Sequence, residues 1–169
     1  TDRRFEERRM NQPHHAASIV IVDDEEIILT ALDTLLEFET DYHTVSFTSP
    51  VAALAHIRKH ELDLVVSDYL MPEMNGIDFL GEVRQLKPDV PRIVVTGYAD
   101  KENAIKGINE VGLFQYIEKP WDNAALLLVF RNAVERRLLV KELHEKLVEL
   151  DGSKNDLQRL HNQILKTFI

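Results

Sequence analysis

Short apolar runs alternate along this chain with longer stretches whose apolar positions recur at helical spacing. The runs are rich in valine, isoleucine and leucine and lie at 19–22, 42–47, 62–66, 92–95 and 113–117. Helical periodicity occupies the intervals near 26–38, 50–60, 76–87 and 100–110. Continuous apolar runs are typical of strands buried on both faces, and a repeated strand–helix order requires parallel crossovers. The pattern predicts an α/β fold, a doubly wound parallel sheet of five strands.

The C-terminal region has a different periodicity. After Asp122, a predicted helix cap, helix-forming residues continue almost without a breaker, and a heptad repeat emerges. Its eight seam positions, six of them apolar, are Val140, Leu143, Leu147, Leu150, Lys154, Leu157, His161 and Ile164. The repeat predicts a parallel coiled coil, with two polar seam residues that fix its register, and therefore a homodimer through this helix. A continuous helix over 122–167 would extend roughly 70 Å, farther than one small domain can cover.

Gly152-Ser153 is the one weak point in this helix. Glycine costs about 1 kcal/mol in a helix interior, and Ser153 with Asp156 would be able to cap a new helix. The heptad register survives across the glycine, so we favour one continuous helix.

Composition fits one globular domain with an appendage: the chain has 169 residues, 44% of them hydrophobic and 29% charged. We expect a flexible tail over 1–17, a globular domain over 18–132 and a coiled-coil linker helix over 133–169. Adjacent histidines in a tail, here His14-His15, are more often without a bound metal than with one, because they lack helical spacing and supporting contacts.

Several partners and compartments are disfavoured by the same sequence. No apolar run approaches the ~20 residues of a membrane-spanning helix, and the N-terminal residues lack the apolar stretch of a secretory signal. The chain has no cysteine, which excludes disulfides and thiolate metal sites. Residues 18–130 carry 8 basic against 20 acidic side chains, which disfavours contact with nucleic acid phosphates. We expect a cytoplasmic protein that contacts neither membrane nor nucleic acid directly.

Polar residues follow four of the predicted strands. Asp23-Asp24, Asp68, Thr96 and Lys119 each come where an apolar run ends. Taken singly, each of these residues is more often a helix cap, a turn former or a solvated loop residue. In a doubly wound sheet, however, the carboxyl ends of the strands share one edge, and ligands bind there. The sequence therefore predicts that these side chains converge.

The residue types at this edge indicate phosphoryl chemistry. Three carboxylates repel one another by ~4 kcal/mol per close pair, so a cation is expected among them. Mg²⁺, or Mn²⁺ in its place, suits a site with carboxylates and phosphate oxygens, and Lys119 supplies a second positive charge. Asp68 is then the candidate nucleophile, which would form an acyl phosphate.

Four segments together resemble the receiver domain of bacterial two-component response regulators. They are Ile21-Val22-Asp23-Asp24-Glu25, Asp68-Tyr69-Leu70-Met71-Pro72-Glu73-Met74-Asn75-Gly76, Val95-Thr96-Gly97-Tyr98-Ala99 and Tyr116-Ile117-Glu118-Lys119-Pro120. The resemblance covers about 18–132 and implies a flavodoxin-like sheet of order 2-1-3-4-5. It also implies a phosphoryl donor, either a sensor histidine kinase or a histidine phosphotransfer protein, and a signalling role with no activity beyond the domain's own phosphorylation and dephosphorylation.

The resemblance also implies roles for individual residues. Asp24 and Asp68 would bind Mg²⁺ directly, together with the backbone carbonyl of Leu70, and Asp23 would hold it through water. Thr96 and Lys119 would bind the incoming phosphoryl group. Tyr116 would be the aromatic switch that turns inward with Thr96, although it is also readily interpreted as an ordinary strand aromatic. Family members suggest a cis bond at Lys119-Pro120.

Two variable positions next to the site carry a separate hypothesis. Leu70 lies two residues after the acceptor and Tyr98 two residues after the threonine, and neither offers a carboxylate or amide to position water. We expect these bulky side chains to shield the acyl phosphate and lengthen its life.

Two other enzyme or binding classes are less consistent with the sequence. A haloacid dehalogenase-like phosphohydrolase places its second aspartate two residues after the first, whereas here the pair is adjacent. A flavodoxin-like nucleotide binder needs a glycine- or hydroxyl-rich loop after strand one, where Asp24-Glu25-Glu26-Ile27 would repel phosphate.

The seam runs to Phe168-Ile169 without a polar ending, so we expect a regulator cut before its output domain. The segments Thr96-Gly97-Tyr98-Ala99-Asp100 and Lys119-Pro120-Trp121-Asp122 are similar to those of regulators that carry cyclic-dinucleotide phosphodiesterase or cyclase modules. That similarity predicts a role in cyclic-dinucleotide signalling.

Overall fold

The protein folds into a five-stranded sheet covered by helices on both faces and extended by one long helix. The computed structural model describes residues 16–167, apart from the side chains of Tyr98 and Thr167. The strands are β1 (Ser18–Val22), β2 (His43–Phe47), β3 (Leu64–Asp68), β4 (Arg92–Thr96) and β5 (Gln115–Glu118). The helices are α1 (Glu26–Glu39), α2 (Pro50–Lys59), α3 (Gly76–Leu86), α4 (Lys101–Val111) and α5 (Asn123–Thr167), with a 3₁₀ turn at Tyr98–Asp100.

All strands are parallel, in the order β2-β1-β3-β4-β5. This confirms the predicted doubly wound fold and its strand order. The predicted third and fifth strands each begin two residues too early, because Leu62 and Leu113 are buried apolar residues of the preceding loops rather than members of the ladder. β3 continues through Asp68, so the candidate nucleophile is the last residue of a central strand.

Burial on both faces holds for the central strands and not for the edges. Every residue of β3 and β4 is buried, whereas β2 and β5 are largely half-buried. The order explains the difference, because β2 and β5 have a neighbour on one side only. The expectation of strands buried on both faces was therefore wrong for the two edge strands.

Side-chain caps begin three of the helices, and the cap at Asp122 was predicted. The Ser49 hydroxyl accepts a hydrogen bond from the Ala52 amide at 3.3 Å. The Asn75 side-chain oxygen accepts one from the Asp78 amide at 2.8 Å. The Asp122 carboxylate accepts one from the Ala125 amide at 2.9 Å. Each cap satisfies an amide that has no partner within its own helix.

Two apolar layers hold the sheet between its helices. α1 and the first turns of α5 cover one face, where Leu32, Leu36 and Phe130 are almost completely buried. α2, α3 and α4 cover the other face, with Phe79 and Leu80 equally buried. The layers fix the strands rigidly, so side chains at the carboxyl edge of the sheet are held by well-packed elements.

α5 is one helix of 45 residues, about 68 Å long. It runs unbroken through Gly152, as predicted, and Ser153 starts no new helix. Its first turns pack in the core, ending with Ala133 and Val134. From Leu138 onward its apolar side chains are exposed, so most of α5 projects away from the sheet as a stalk.

No helix between residues 16 and 167 combines the length and apolarity that a membrane crossing requires.

Candidate functional site: an acidic cluster at the carboxyl edge of the sheet

The three predicted aspartates meet at one edge of the sheet. Asp23 and Asp24 follow β1, and Asp68 ends the neighbouring β3. One carboxylate oxygen from each of the three lies within 4.8 Å of the other two. Asp23 and Asp68 are buried, whereas Asp24 is exposed. The cluster is thus open on the side of Asp24.

Lys119 reaches this cluster from the end of β5. Its Nζ lies 3.0 Å from Asp68 Oδ1 and 3.4 Å from Asp23 Oδ2. The Lys119 amide donates to the Thr96 carbonyl at 2.8 Å, which ties its backbone to the end of β4. The Lys119-Pro120 bond is cis, as the resemblance suggested. One ammonium therefore bridges the two buried carboxylates.

The ionisation of the cluster is set mainly by burial. Burial raises the pKa of Asp68 above the usual aspartate value, although the hydrogen bond and charge of Lys119 oppose this. Burial also raises the pKa of Asp23, which the amide of Glu25, donating at 2.9 Å, only partly offsets. For Lys119, burial alone would lower the pKa, but the hydrogen bond to Asp68 and the two carboxylate charges raise it overall.

The charge balance of the cluster fits a divalent cation. Three carboxylates with one ammonium leave a formal charge of −2 when all are ionised. The raised pKa values of Asp23 and Asp68 mean that a lysine alone does not compensate the cost of burying them. Carboxylate oxygens are hard ligands of the kind that Mg²⁺ prefers. The donor set of Asp23, Asp24 and Asp68 therefore suits Mg²⁺.

The loop after Asp68 is folded back tightly against it. The Gly76 amide, at the start of α3, donates to the Tyr69 carbonyl at 2.7 Å. A Cβ atom on Gly76 would collide with the backbone carbonyl of Asp68 and press on Cα of Tyr69. The Ser67 hydroxyl donates to the same Asp68 carbonyl at 2.9 Å. The backbone of the candidate nucleophile is thus held from two sides.

Thr96 ends β4, and Tyr116 lies on the adjacent strand β5. Thr96 is fully buried at the end of β4, and its hydroxyl donates to the Gly97 carbonyl at 3.2 Å. Tyr116 is half-buried and packs against the core layer beneath α3 and α4. Close by, the Glu118 carboxylate lies 3.4 Å from Nζ of Lys101, which links β5 to the start of α4.

Leu70 and Tyr98 are the two residues expected to shield the site, and the structure describes the side chain of Leu70. The Leu70 side chain is 61% exposed, so it stands in solvent next to the cluster. The side chain of Tyr98 lies outside the described part of the chain, as do His14-His15 and Phe168-Ile169. The Leu70 carbonyl as a metal ligand stays a prediction.

The sequence of this chain matches a known protein family over most of its length. The sequence profile described as the response regulator receiver domain matches residues 19–131. The chain belongs to this family. Receiver domains are signalling domains that accept phosphoryl groups in two-component systems, and they generally bind Mg²⁺ at an acidic pocket.

Relatives of this receiver domain occur in regulators of several kinds. It is 37% identical over 127 residues to the hydrogenase transcriptional regulatory protein HoxA of Cupriavidus necator, which covers 75% of this chain and 26% of HoxA. It is 31% identical to the response regulator SaeR of Staphylococcus aureus, over 72% of this chain and 51% of SaeR. The chain thus spans about a quarter to a half of the length of these relatives.

Solved structures agree in fold. The receiver domain of an HD domain-containing protein from Pseudomonas fluorescens has a TM-score of 0.72 and 34% identity, covering 78% of this chain and 96% of that one. An adenylate cyclase structure from Rhodopirellula baltica has a TM-score of 0.73 and 26% identity, covering 78% and 97%.

Three contacts at the site involve the backbone and were not predicted from the sequence. The Glu25 amide and the Ser67 hydroxyl orient the aspartates, and Gly76 permits the close approach to Asp68. Of these residues, only Gly76 stands in a recognisable sequence pattern, because Asn75-Gly76 is a pair typical of turns. The backbone amide of Glu25 donates the hydrogen bond to Asp23, so this bond does not depend on the Glu25 side chain.

Proposed function

We propose that Asp68 is the phosphoryl acceptor of this receiver domain. The observation that carries the proposal is the contact of 3.0 Å between Asp68 Oδ1 and Lys119 Nζ, inside a cluster with Asp23 and Asp24. Among the three clustered aspartates, Asp68 alone ends a central strand and has its backbone fixed by both Ser67 and Gly76. A fixed, partly neutralised carboxylate suits in-line attack on phosphorus.

In the proposed reaction a carboxylate oxygen of Asp68 attacks the phosphorus of the donor. A new O–P bond forms, and the bond from phosphorus to the donor atom breaks, so its electron pair leaves with the donor. The donor is a phosphohistidine of a sensor kinase or of a phosphotransfer protein, as in other two-component pairs. Lys119 stabilises the negative charge on the transferred oxygens, and the Thr96 hydroxyl would exchange its bond with the Gly97 carbonyl for one with phosphate.

The metal would be held by Asp23, Asp24 and Asp68, with the Leu70 carbonyl as the expected backbone ligand. When bound, Mg²⁺ supplies positive charge that offsets the three carboxylates and the phosphoryl oxygens. The residues of the chain then position and neutralise the phosphoryl group.

The readout is proposed to run from Thr96 to the adjacent face of the domain. A shift of Thr96 toward phosphate opens space that Tyr116, half-buried on the neighbouring strand, would enter. The ion pair between Glu118 and Lys101 joins that strand to α4, so the change would repack the surface formed by α4, β5 and α5. We propose that residues 18–132 form this switch and that 133–169 serve as a helical linker.

We propose that the linker pairs with a second copy through its heptad seam and carries the signal to an output module. The relatives' names indicate two kinds of output, transcriptional regulation and cyclase activity. The cyclic-dinucleotide link, the cytoplasmic location and the lack of direct nucleic acid contact stay predictions. The acidic charge of 18–130 supports the last of these.

A phosphorylation assay tests the proposed function. The protein is incubated with acetyl phosphate in Mg²⁺ or in EDTA, and the intact mass and free phosphate are followed. We expect one phosphoryl addition per chain in Mg²⁺ and little in EDTA. Sustained release of phosphate without a persistent adduct would indicate a hydrolase instead.

Leu70 is predicted to lengthen the life of the acyl phosphate. Leu70→Asn places an amide beside the cluster that is able to orient water, so we expect the phosphoryl half-life to fall severalfold. The decay of the intact-mass adduct after removal of acetyl phosphate measures this. Leu128→Asn, which alters a leucine of similar exposure (59%) on α5, should leave the half-life unchanged. An equal or longer half-life in Leu70→Asn would refute shielding.

A further inference from the structure

The stalk carries an apolar stripe with no cover in the monomer. The stripe follows the heptad seam, and its side chains are more than two-fifths exposed, among them Leu143 at 60%, Leu157 at 67% and Ile164 at 56%. The stripe stays on one side of α5 because the repeat of seven residues nearly matches two helical turns. Gly152 lies at the heptad position opposite the seam, and a Cβ atom added there would meet nothing within 4 Å apart from the backbone of its own helix. The weakest helix former is therefore kept out of the contact surface.

The residues on either side of the seam are complementary to those of a second copy of α5. The seam alternates between two heptad positions, and the first of them is occupied by Val140, Leu147, Lys154 and His161. In a parallel pair of helices in register, the residue just before each of these four faces the residue five positions after itself on the other helix. Lys146 then faces Asp151 of the second copy, which is an attractive pair. Ser153 faces Gln158, and Leu160 faces Leu165, so polar meets polar and apolar meets apolar.

Other arrangements lose this complementarity. An antiparallel pair over the same seam is centred near residue 152, which brings Asp151 beside Asp151 of the second copy and places Leu160 near Lys146. A parallel pair shifted by one heptad sets Lys146 opposite Gln158 or His144 and leaves Asp151 without its lysine. Of these three arrangements, the parallel, in-register pair alone sets polar opposite polar and apolar opposite apolar from Lys146 to Leu165.

We propose that α5 pairs with α5 of a second copy, parallel and in register, with Lys146 of each chain bound to Asp151 of the other. This inference rests on the proposed self-association of the stalk and specifies its geometry. In the monomer Nζ of Lys146 lies 3.1 Å from Glu142 Oε1, but both side chains are more than half exposed, so that pair is weak and readily exchanged.

Along the proposed pair the apolar contact is widest near the C-terminal end of the seam, and two polar seam residues, Lys154 and His161, interrupt it. Near the C-terminal end of the seam, Leu160 and Leu165 widen the apolar contact beyond Leu157 and Ile164. In the middle, Lys154 faces Lys154 of the second copy; its aliphatic stem packs while its ammonium reaches solvent. Lys154 therefore weakens the middle and opposes bundles of more than two helices, whose seam would be drier. The pairing also places both receiver domains at the same end of the stalk.

Disulfide trapping tests this geometry cleanly, because the chain has no cysteine of its own. Leu143→Cys and Ile164→Cys should each form a disulfide-linked dimer under mild oxidation, whereas Glu145→Cys, which faces away from the seam, should not. Mixed Leu143→Cys and His161→Cys chains should give no mixed disulfide, since those positions would lie about 27 Å apart along a parallel pair. Intact mass distinguishes the mixed product.

A charge exchange tests the pair itself. Lys146→Glu and Asp151→Lys should each weaken dimerisation severalfold, because like charges then face each other. When the two variants are mixed, each introduced charge faces its opposite, so heterodimers should form in preference to either homodimer. Native mass spectrometry measures the three populations.

Two outcomes would overturn the inference. A mixed 143–161 disulfide without self-linkage of Leu143→Cys would show an antiparallel pair. Monomers at all concentrations with no trapped dimer would show that the stalk does not self-associate. Phosphorylation of the same samples by acetyl phosphate separates these failures from a failure of the proposed acceptor, because the acidic cluster lies outside the stalk.

Discussion

Replacing Gly76 with alanine should lower the free energy of unfolding by about 3 kcal/mol, the largest loss expected from a single methyl group in this domain. The added Cβ would overlap the Asp68 carbonyl oxygen, and the nearest atoms, which belong to Asp68 and Tyr69, are all backbone, so no side chain is able to move aside. Either α3 shifts or Asp68 does. The melting temperature should fall by roughly 10 °C, and acyl phosphate formation should slow with it.

Gly81→Ala, in the same helix, is the matched control. Its Cβ would meet only Cγ1 of Val111, at 3.4 Å, and alanine favours a helix interior by about 1 kcal/mol. This variant should be as stable as the parent or slightly more stable. Equal melting temperatures for Gly76→Ala and the parent would disprove the close approach to Asp68.

Asp68→Asn should raise the stability of the metal-free protein at neutral pH, and with it the melting temperature. The raised pKa of Asp68 means that the folded state binds its proton more tightly than the unfolded state does. The ionised carboxylate therefore costs stability above that pKa, and an uncharged amide removes the cost. Thermal melts in EDTA measure the difference.

The pH dependence has a defined sign. The pKa values of Asp68 and Asp23 are both raised, so the metal-free protein should gain stability as pH falls from neutral toward the usual aspartate pKa. Asp68→Asn should reduce that gain. Lys119 does not confound the comparison, because its raised pKa keeps it charged throughout this range. Asp156→Asn, on the exposed stalk away from the cluster, is the matched control.

In Mg²⁺ the parent should be more stable than Asp68→Asn, which is the reverse of the order expected in EDTA. The ion stabilises the state that binds it, so the parent should gain more from Mg²⁺ than Asp68→Asn does. A parent that is more stable than the variant in EDTA, or an equal response to Mg²⁺, would contradict the electrostatic description of the cluster.

Much of the fold was predictable because its signals are local. The apolar runs marked the strands, and Asp122 marked the start of α5 through a side chain that bonds a nearby amide. The convergence of Asp23, Asp68 and Lys119 followed from parallel topology, since parallel strands end at one edge. The partial exposure of the edge strands was not predictable from their apolar runs, because it depends on strand order, which the resemblance and not the local pattern supplied.

The finer geometry of the site depends on contacts between distant segments. Gly76 and Asp68 approach each other through their backbones, and a turn glycine looks the same in sequence whether or not another segment touches it. The pair of Glu118 with Lys101 arises because β5 ends beside the start of α4. Such contacts follow from the assembled fold and leave no pattern along the chain.

The most direct test of the central claim is the site of phosphorylation. The parent, Asp68→Asn and Asp78→Asn, which alters an exposed aspartate of α3, are incubated with acetyl phosphate and Mg²⁺, and their intact masses are compared. The proposed mechanism predicts one phosphoryl addition in the parent and in Asp78→Asn and none in Asp68→Asn. A phosphoryl addition of equal extent in Asp68→Asn would contradict it.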